Sequence, residues 1–144
     1  MRPPNYWLAK TEPGDYSFSQ LEREIETVWN GVHNPLARKH LRMVKAGDMI
    51  MIYHTGDEKQ IVGIAEAISD AYPDPKLKNS RTSVVKICAR RELPKPVTLA
   101  NLRKIKEFKR FDLLRLPRLS VMPVSQEHWD LIMRIAEGRG ATPS

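Results

Sequence analysis

The chain has 144 residues, 41% of them hydrophobic and 28% charged, the balance of an ordinary globular domain long enough to bury one sizeable core. No apolar run approaches the roughly 20 residues that span a bilayer, and the first residues lack the basic start and long apolar stretch of a secretion signal, so one cytoplasmic domain with no membrane partner is expected. Lys and Arg outnumber Asp and Glu by 24 to 17, a net charge of +7 that suits either a polyanionic partner or simply well-solvated faces.

Taken in chain order, Tyr6 to Lys10 reads as a short aromatic and aliphatic strand, stopped by the turn residues Glu12-Pro13-Gly14-Asp15. Ser17 and Gln20 fit a capping box, and Phe18, Leu21, Ile25 and Val28 recur at helical spacing, which predicts a first helix. A second helix is predicted from Asn34, with its side chain as cap, Pro35 at the first helical position and Gly47 just past the end. The Trp29 segment then connects the two helices. Met49–His54 and Ile61–Ile68 are apolar runs separated by Thr55-Gly56-Asp57, a predicted hairpin in which Gly63 marks a bulge or a close backbone approach.

Further along, Pro73-Asp74-Pro75 opens a polar loop, and Thr82–Arg91 reads as a strand that Pro94 and Pro96 break. Thr98 to Phe108 suits a basic helix with Leu99, Leu102 and Ile105 inward. Arg118–Val124 reads as a strand held at an edge by Pro123, and Ser125 caps a last helix burying Trp129, Ile132, Met133 and Ala136. Strands interrupted by helices without βαβ alternation predict an α+β domain around a small, strongly curved sheet or barrel.

Two segments carry most of the candidate chemistry. Lys10, Thr11 and Glu12 place a cation, a hydroxyl and a carboxylate at a strand end, enough to pair with donor and acceptor edges of a base or to bond only to the local turn. Trp29 can offer its face to a planar ring or anchor its loop to the core, and Gly31 lets the neighbouring backbone approach a ligand. Asn34 is a cap beside that loop, and Arg38, one turn into the helix, can reach a phosphate or fix the loop. Tyr53 and His54 end a buried strand at a rim, where His54 either donates to a ligand or bonds structurally. Cys88, the only cysteine, lies in an apolar-alternating run and reads as a buried structural thiol, so no disulfide or zinc framework is available within one chain. Arg38, Lys39, Arg42 and Lys45 form one basic group, and Arg103, Lys104, Lys106, Lys109, Arg110, Arg115 and Arg118 a second.

The strings YWLAKTEPGDYSFSQLE, WNGVHNPLAR, GDMIMIYHTGDEKQIVGIAEA, AYPDP, KPVTL and RLSVMPVS, in order and spacing, resemble the EVE domain family over nearly the whole chain. The resemblance implies a PUA-like fold, a curved β-barrel of about five to six strands flanked by helices, related to YTH, ASCH and SRA-type base-recognition domains. It also implies a pocket for a modified nucleobase in DNA or RNA near the first strand and the Trp-containing loop, with Val32, Arg118, Leu119 and Ser120 in the same cleft. Departures lie at the rim. Where the family usually reads WDGVRNYQARN, this chain has Asn30 for the acid, His33 for the arginine and Pro35-Leu36 for a Tyr-Gln pair.

The leading expectation is therefore a non-enzymatic module, monomeric or weakly dimeric and without cofactor or metal, that reads a modified base, plausibly a modified cytosine, by stacking and edge hydrogen bonds. The alternative is an ASCH-like amidohydrolase acting on acylated nucleosides, for which Lys10, Thr11 and Glu12 supply the residue types. Consecutive strand residues alternate faces, so those three converge only if the chain turns there.

Overall fold

The computed structural model describes residues 4–30, 32, 34–76 and 82–139. The first strand, β1 (Tyr6–Thr11), lies inside the sheet and buries Trp7, Leu8 and Ala9 in succession because neighbours cover both of its faces. It pairs in parallel with β3 (Met49–His54) and antiparallel with β7 (Val121–Val124), which sets Leu8 beside Met51 and Met122. All three side chains are fully buried, and each contributes about 1.5–3 kcal/mol by leaving water.

The predicted hairpin is present: β3 turns back as β4 (Gln60–Ala67). Gly63 sits at a register shift against the next strand, and the Phe18 ring occupies the space a Cβ there would take, so both the bulge and the close approach are found. β4 pairs with the long β6 (Ser83–Thr98), which also carries β2 (Glu26–Trp29) and the two-residue β5 (Tyr72–Pro73). The strand order β2-β6-β4-β3-β1-β7, with β5 beside β6, makes a mixed sheet of seven strands that is not closed: the α+β class expected from the sequence is present, with an open sheet in place of the curved β-barrel that the family resemblance implied.

α2 (Pro35–Arg42), started by Pro35 and by an Asn34 side chain that accepts the Ala37 amide at 3.0 Å, packs against both β6 and β7. It buries Ala37 and Leu41, and the His40 ring nitrogen lies 2.8 Å from the Val121 carbonyl.

Three further expectations are revised. The first helix, α1 (Phe18–Glu24), is capped by Ser17 as predicted but stops before Ile25, which takes φ 73° and is 72% exposed. The chain then runs as β2, so Trp29 ends a strand rather than filling a connection. β6 continues through Pro94 and Pro96: Glu92 pairs with Gly63 and Val97 with Ile61, so the residues between them bulge out opposite Val62, where no ladder N–H is required. The basic helix expected over Thr98–Phe108 divides into α3 (Leu99–Arg103) and a 3-10 turn over Lys106–Phe108, and a further short helix, α4 (Asp112–Arg115), follows it.

The last helix, α5 (Gln126–Ala136), has the predicted Ser125 cap and stacks Trp129 on Tyr6 with ring centres 4.5 Å apart. Cys88 is buried and free. Among the described residues no helix is long and apolar enough to cross a membrane, and no three His, Cys, Asp or Glu residues are grouped to hold a metal ion.

Candidate functional site

The C-terminal end of β1 is where the chain's polar groups gather, and the strand's alternation distributes them. Thr11 turns toward β2 and lines a cavity of about 250 Å³ with Trp29, Tyr16, Thr27, Val28 and Asn30. The Thr11 hydroxyl donates to the Tyr16 carbonyl at 2.6 Å, and the Thr55 amide donates to the Thr11 carbonyl at 2.9 Å, so this corner is held from two sides. Trp29 is 9% exposed and meets the Tyr16 ring edge-on, with centres 6.4 Å apart and planes at 84°. Its indole is both anchored in the core and a wall of the cavity. Burial raises the Tyr16 phenol above its ordinary value, and its hydroxyl donates to Glu24 at 2.8 Å.

The segment after Trp29 is pinned from α2. Val32 is buried, and its carbonyl accepts from Arg38 Nε at 2.8 Å, so this guanidinium fixes the loop. Gly31 and His33 lie outside the described residues. Asn34, its side chain committed to the cap, lines a second cavity of about 300 Å³ with Leu36, Leu116, Pro117, Arg118 and Leu119. Ser120 contributes a backbone carbonyl that accepts the Lys10 amide at 2.9 Å.

Lys10 points away from Thr11. Its ammonium donates to the Pro117 carbonyl at 2.8 Å, lies 5.7 Å from the centre of the Tyr53 ring, and enters a third cavity that Tyr53 also lines. Burial lowers its pKa from the ordinary 10.5. Glu12 lines none of these spaces; its carboxylate accepts from the Gly14 amide at 3.2 Å and the Thr55 hydroxyl at 3.3 Å. His54 is a structural bridge. Nε2 accepts the Phe18 amide at 3.0 Å, so the proton is on Nδ1, which donates to Glu58 at 2.8 Å.

The structure thus brings Thr11 and Trp29 together, groups Asn34 with Arg118 and Leu119, and sends Lys10 and Tyr53 elsewhere. Lys10, Thr11 and Glu12 do not converge. Tyr16 and Thr27 line the Trp29 cavity without having been singled out from the sequence, and Asn30, noted there only as a departure at the rim, joins them. The signal for Thr27 was its place two residues from Trp29, a spacing that shares a face only in a strand.

Fold and cavities define a small α+β pocket domain built on an open mixed sheet. The sequence model of the EVE domain matches residues 5–135, and the chain belongs to that family. Human thymocyte nuclear protein 1 is 28% identical over 92% of this chain and 74% of its own length. A protein from Rhodopseudomonas palustris superposes with a TM-score of 0.88 at 37% identity, covering 92% of this chain and 93% of that one. Human THYN1, in a crystal structure in complex with 5-methylcytosine-containing DNA, superposes with a TM-score of 0.85 at 28% identity over 92% and 98%. An ASCH protein from Zymomonas mobilis, at 13% identity and a TM-score of 0.55 over 88% and 92%, shares the fold alone.

Proposed function

We propose that this domain binds DNA carrying a modified cytosine, without catalysing a reaction on it, and that the base lodges in the cavity between Trp29 and Thr11. The observation that carries the reading is that a relative of the same fold is held on 5-methylcytosine-containing DNA, while this chain has a base-sized cavity walled by an indole. At about 250 Å³ the cavity falls just under the range of about 300–1,000 Å³ that takes drug-sized ligands, which suits one base rather than a whole nucleotide. Trp29 and Val28 give apolar surface for a ring and its methyl group, and Thr11, Thr27 and Asn30 give hydroxyl and amide groups for its polar edge. A base reaches such a space by leaving the stack, at a cost of a few kcal/mol that the cavity contacts offset.

Arg38 and Asn34 act in this reading by fixing the loop beside the cavity, and exposed Arg118 and its basic neighbours meet phosphate. DNA is preferred to RNA because DNA is the partner in the relative's complex. Amide hydrolysis by a Lys-Thr-Glu set is disfavoured: the Lys10 ammonium bonds to Pro117, the Thr11 hydroxyl to Tyr16, and the Glu12 carboxylate to Gly14 and Thr55.

The test is a fluorescence-anisotropy titration with duplexes that differ only in one 5-methylcytosine. Preference for the methylated duplex of about fivefold or more, lost in Trp29→Ala, is the expected result. Equal affinities that fall together with added salt would reduce the interaction to phosphate contacts and overturn the reading.

A further inference from the structure

The cavity that receives Lys10 differs in charge from the others. Lys59 and Arg103 join Lys10 in lining a space of about 260 Å³, and no carboxylate lines it. None of the three cations forms an ion pair among the described residues. Tyr53 and Leu113 give the space an apolar wall, so the charges stand beside a low-dielectric surface that strengthens their field.

The three cations are also positioned by the fold. Lys10 is held by the Pro117 carbonyl and the Tyr53 ring. Lys59 takes φ 47°, unusual for a residue with a long side chain, and its carbonyl accepts the Leu99 amide at 2.9 Å. That bond ties the hairpin turn carrying Lys59 to α3, whose last residue is Arg103. Thr55 adds a hydroxyl engaged only through contacts of 3.3 and 3.4 Å, and Gly56, at φ 72°, exposes backbone beside it. Glu12 lies against Gly56 and accepts the long 3.3 Å contact from the Thr55 hydroxyl, but it is outside the lining.

We propose that this pocket is a phosphate site, in which Lys10 contacts the anion from beside that wall, Lys59 and Arg103 from the rim, and Thr55 supplies a further donor. Its volume exceeds that of a phosphate and leaves room for an attached group against Tyr53 and Leu113. A phosphate there neutralises three cations that lack an internal counter-charge. Since Lys10 and Thr11 face opposite ways from β1, the inference stands independently of what the Trp29 cavity holds.

The test uses the full chain, isotopically labelled, titrated in turn with inorganic phosphate, cytidine 5′-monophosphate and an unmodified DNA duplex while backbone amide shifts are followed. Saturable shifts at Lys10, Thr55, Gly56 and Arg103 with phosphate or the mononucleotide support the site and assign it to a free phosphorylated molecule. The same shifts with the duplex alone support the site and assign it to a strand phosphodiester. Lys59→Gln and Arg103→Gln, both at exposed side chains, are each expected to weaken binding about tenfold without moving the melting temperature. Absence of these shifts with all three probes, or unchanged affinity in both variants, would overturn the proposal. The methylated-over-unmodified preference is read separately, so failure of the phosphate site leaves the base reading standing.

Discussion

The Trp7 indole donates to the Asp48 carboxylate at 2.9 Å, joining the start of β1 to the residue just before β3. Asp48 is completely buried, and the Asn5 and Lys45 amides donate to the same carboxylate at 3.0 and 2.9 Å. Asp48→Ala leaves the buried Trp7 donor unpaired and releases two part-buried amides, and a loss of about 2–3 kcal/mol is expected from urea denaturation. A loss below about 1 kcal/mol would mean that water replaces the carboxylate without penalty.

Gly63→Ala is expected to destabilise by about 1–3 kcal/mol, because the new methyl meets the Phe18 ring rather than empty space. Thermal unfolding measures it. Adding Phe18→Leu should recover part of the loss, and strict additivity of the two changes would contradict the contact.

Arg38→Ala removes the Nε donor from the Val32 carbonyl on the half-exposed face of α2. A stability loss of about 1 kcal/mol is expected, together with weaker binding to methylated DNA of about tenfold. If affinity stays at the wild-type level, the loop beside Trp29 does not need this clamp.

Alkaline pH separates the phenols of half-buried Tyr16 and buried Tyr53 from the half-buried Lys10 ammonium. Burial raises Tyr16 and Tyr53 above 10.0, with Arg103 partly opposing the shift at Tyr53. Their contribution to stability is complete below pH 10.0 and is lost as pH rises through the elevated folded values. Lys10, lowered from 10.5, works the other way: the cost of its half-buried charge is relieved as pH climbs from its folded value toward 10.5. Tyr53→Phe should therefore lose less stability above pH 10 than the wild type. Denaturation midpoints that fall equally in both would remove Tyr53 from the account.

The caps and the central strands were readable because local chemistry and tertiary structure agree there: Ser17, Asn34 and Ser125 each accept the amide three residues on, and the runs at Tyr6 and Met49 are buried strands. β2 was not readable. Ile25 and Val28 fall at helical spacing, and no Gly or Pro announces the break that Ile25 makes by adopting φ 73°. Losing β2 hid Thr27 from the cavity, since only strand alternation places it beside Trp29. The separation of Lys10 from Thr11 did follow from alternation. Where each side chain led depended on Pro117 and Tyr16, which approach from distant segments or a turn.

The ring of Phe18 resting over Gly63 ties two positions that are 45 places apart to a single shared volume. Across related chains, a larger side chain at the second position should accompany a smaller one at the first, so that the pair drifts jointly while each alone stays frozen.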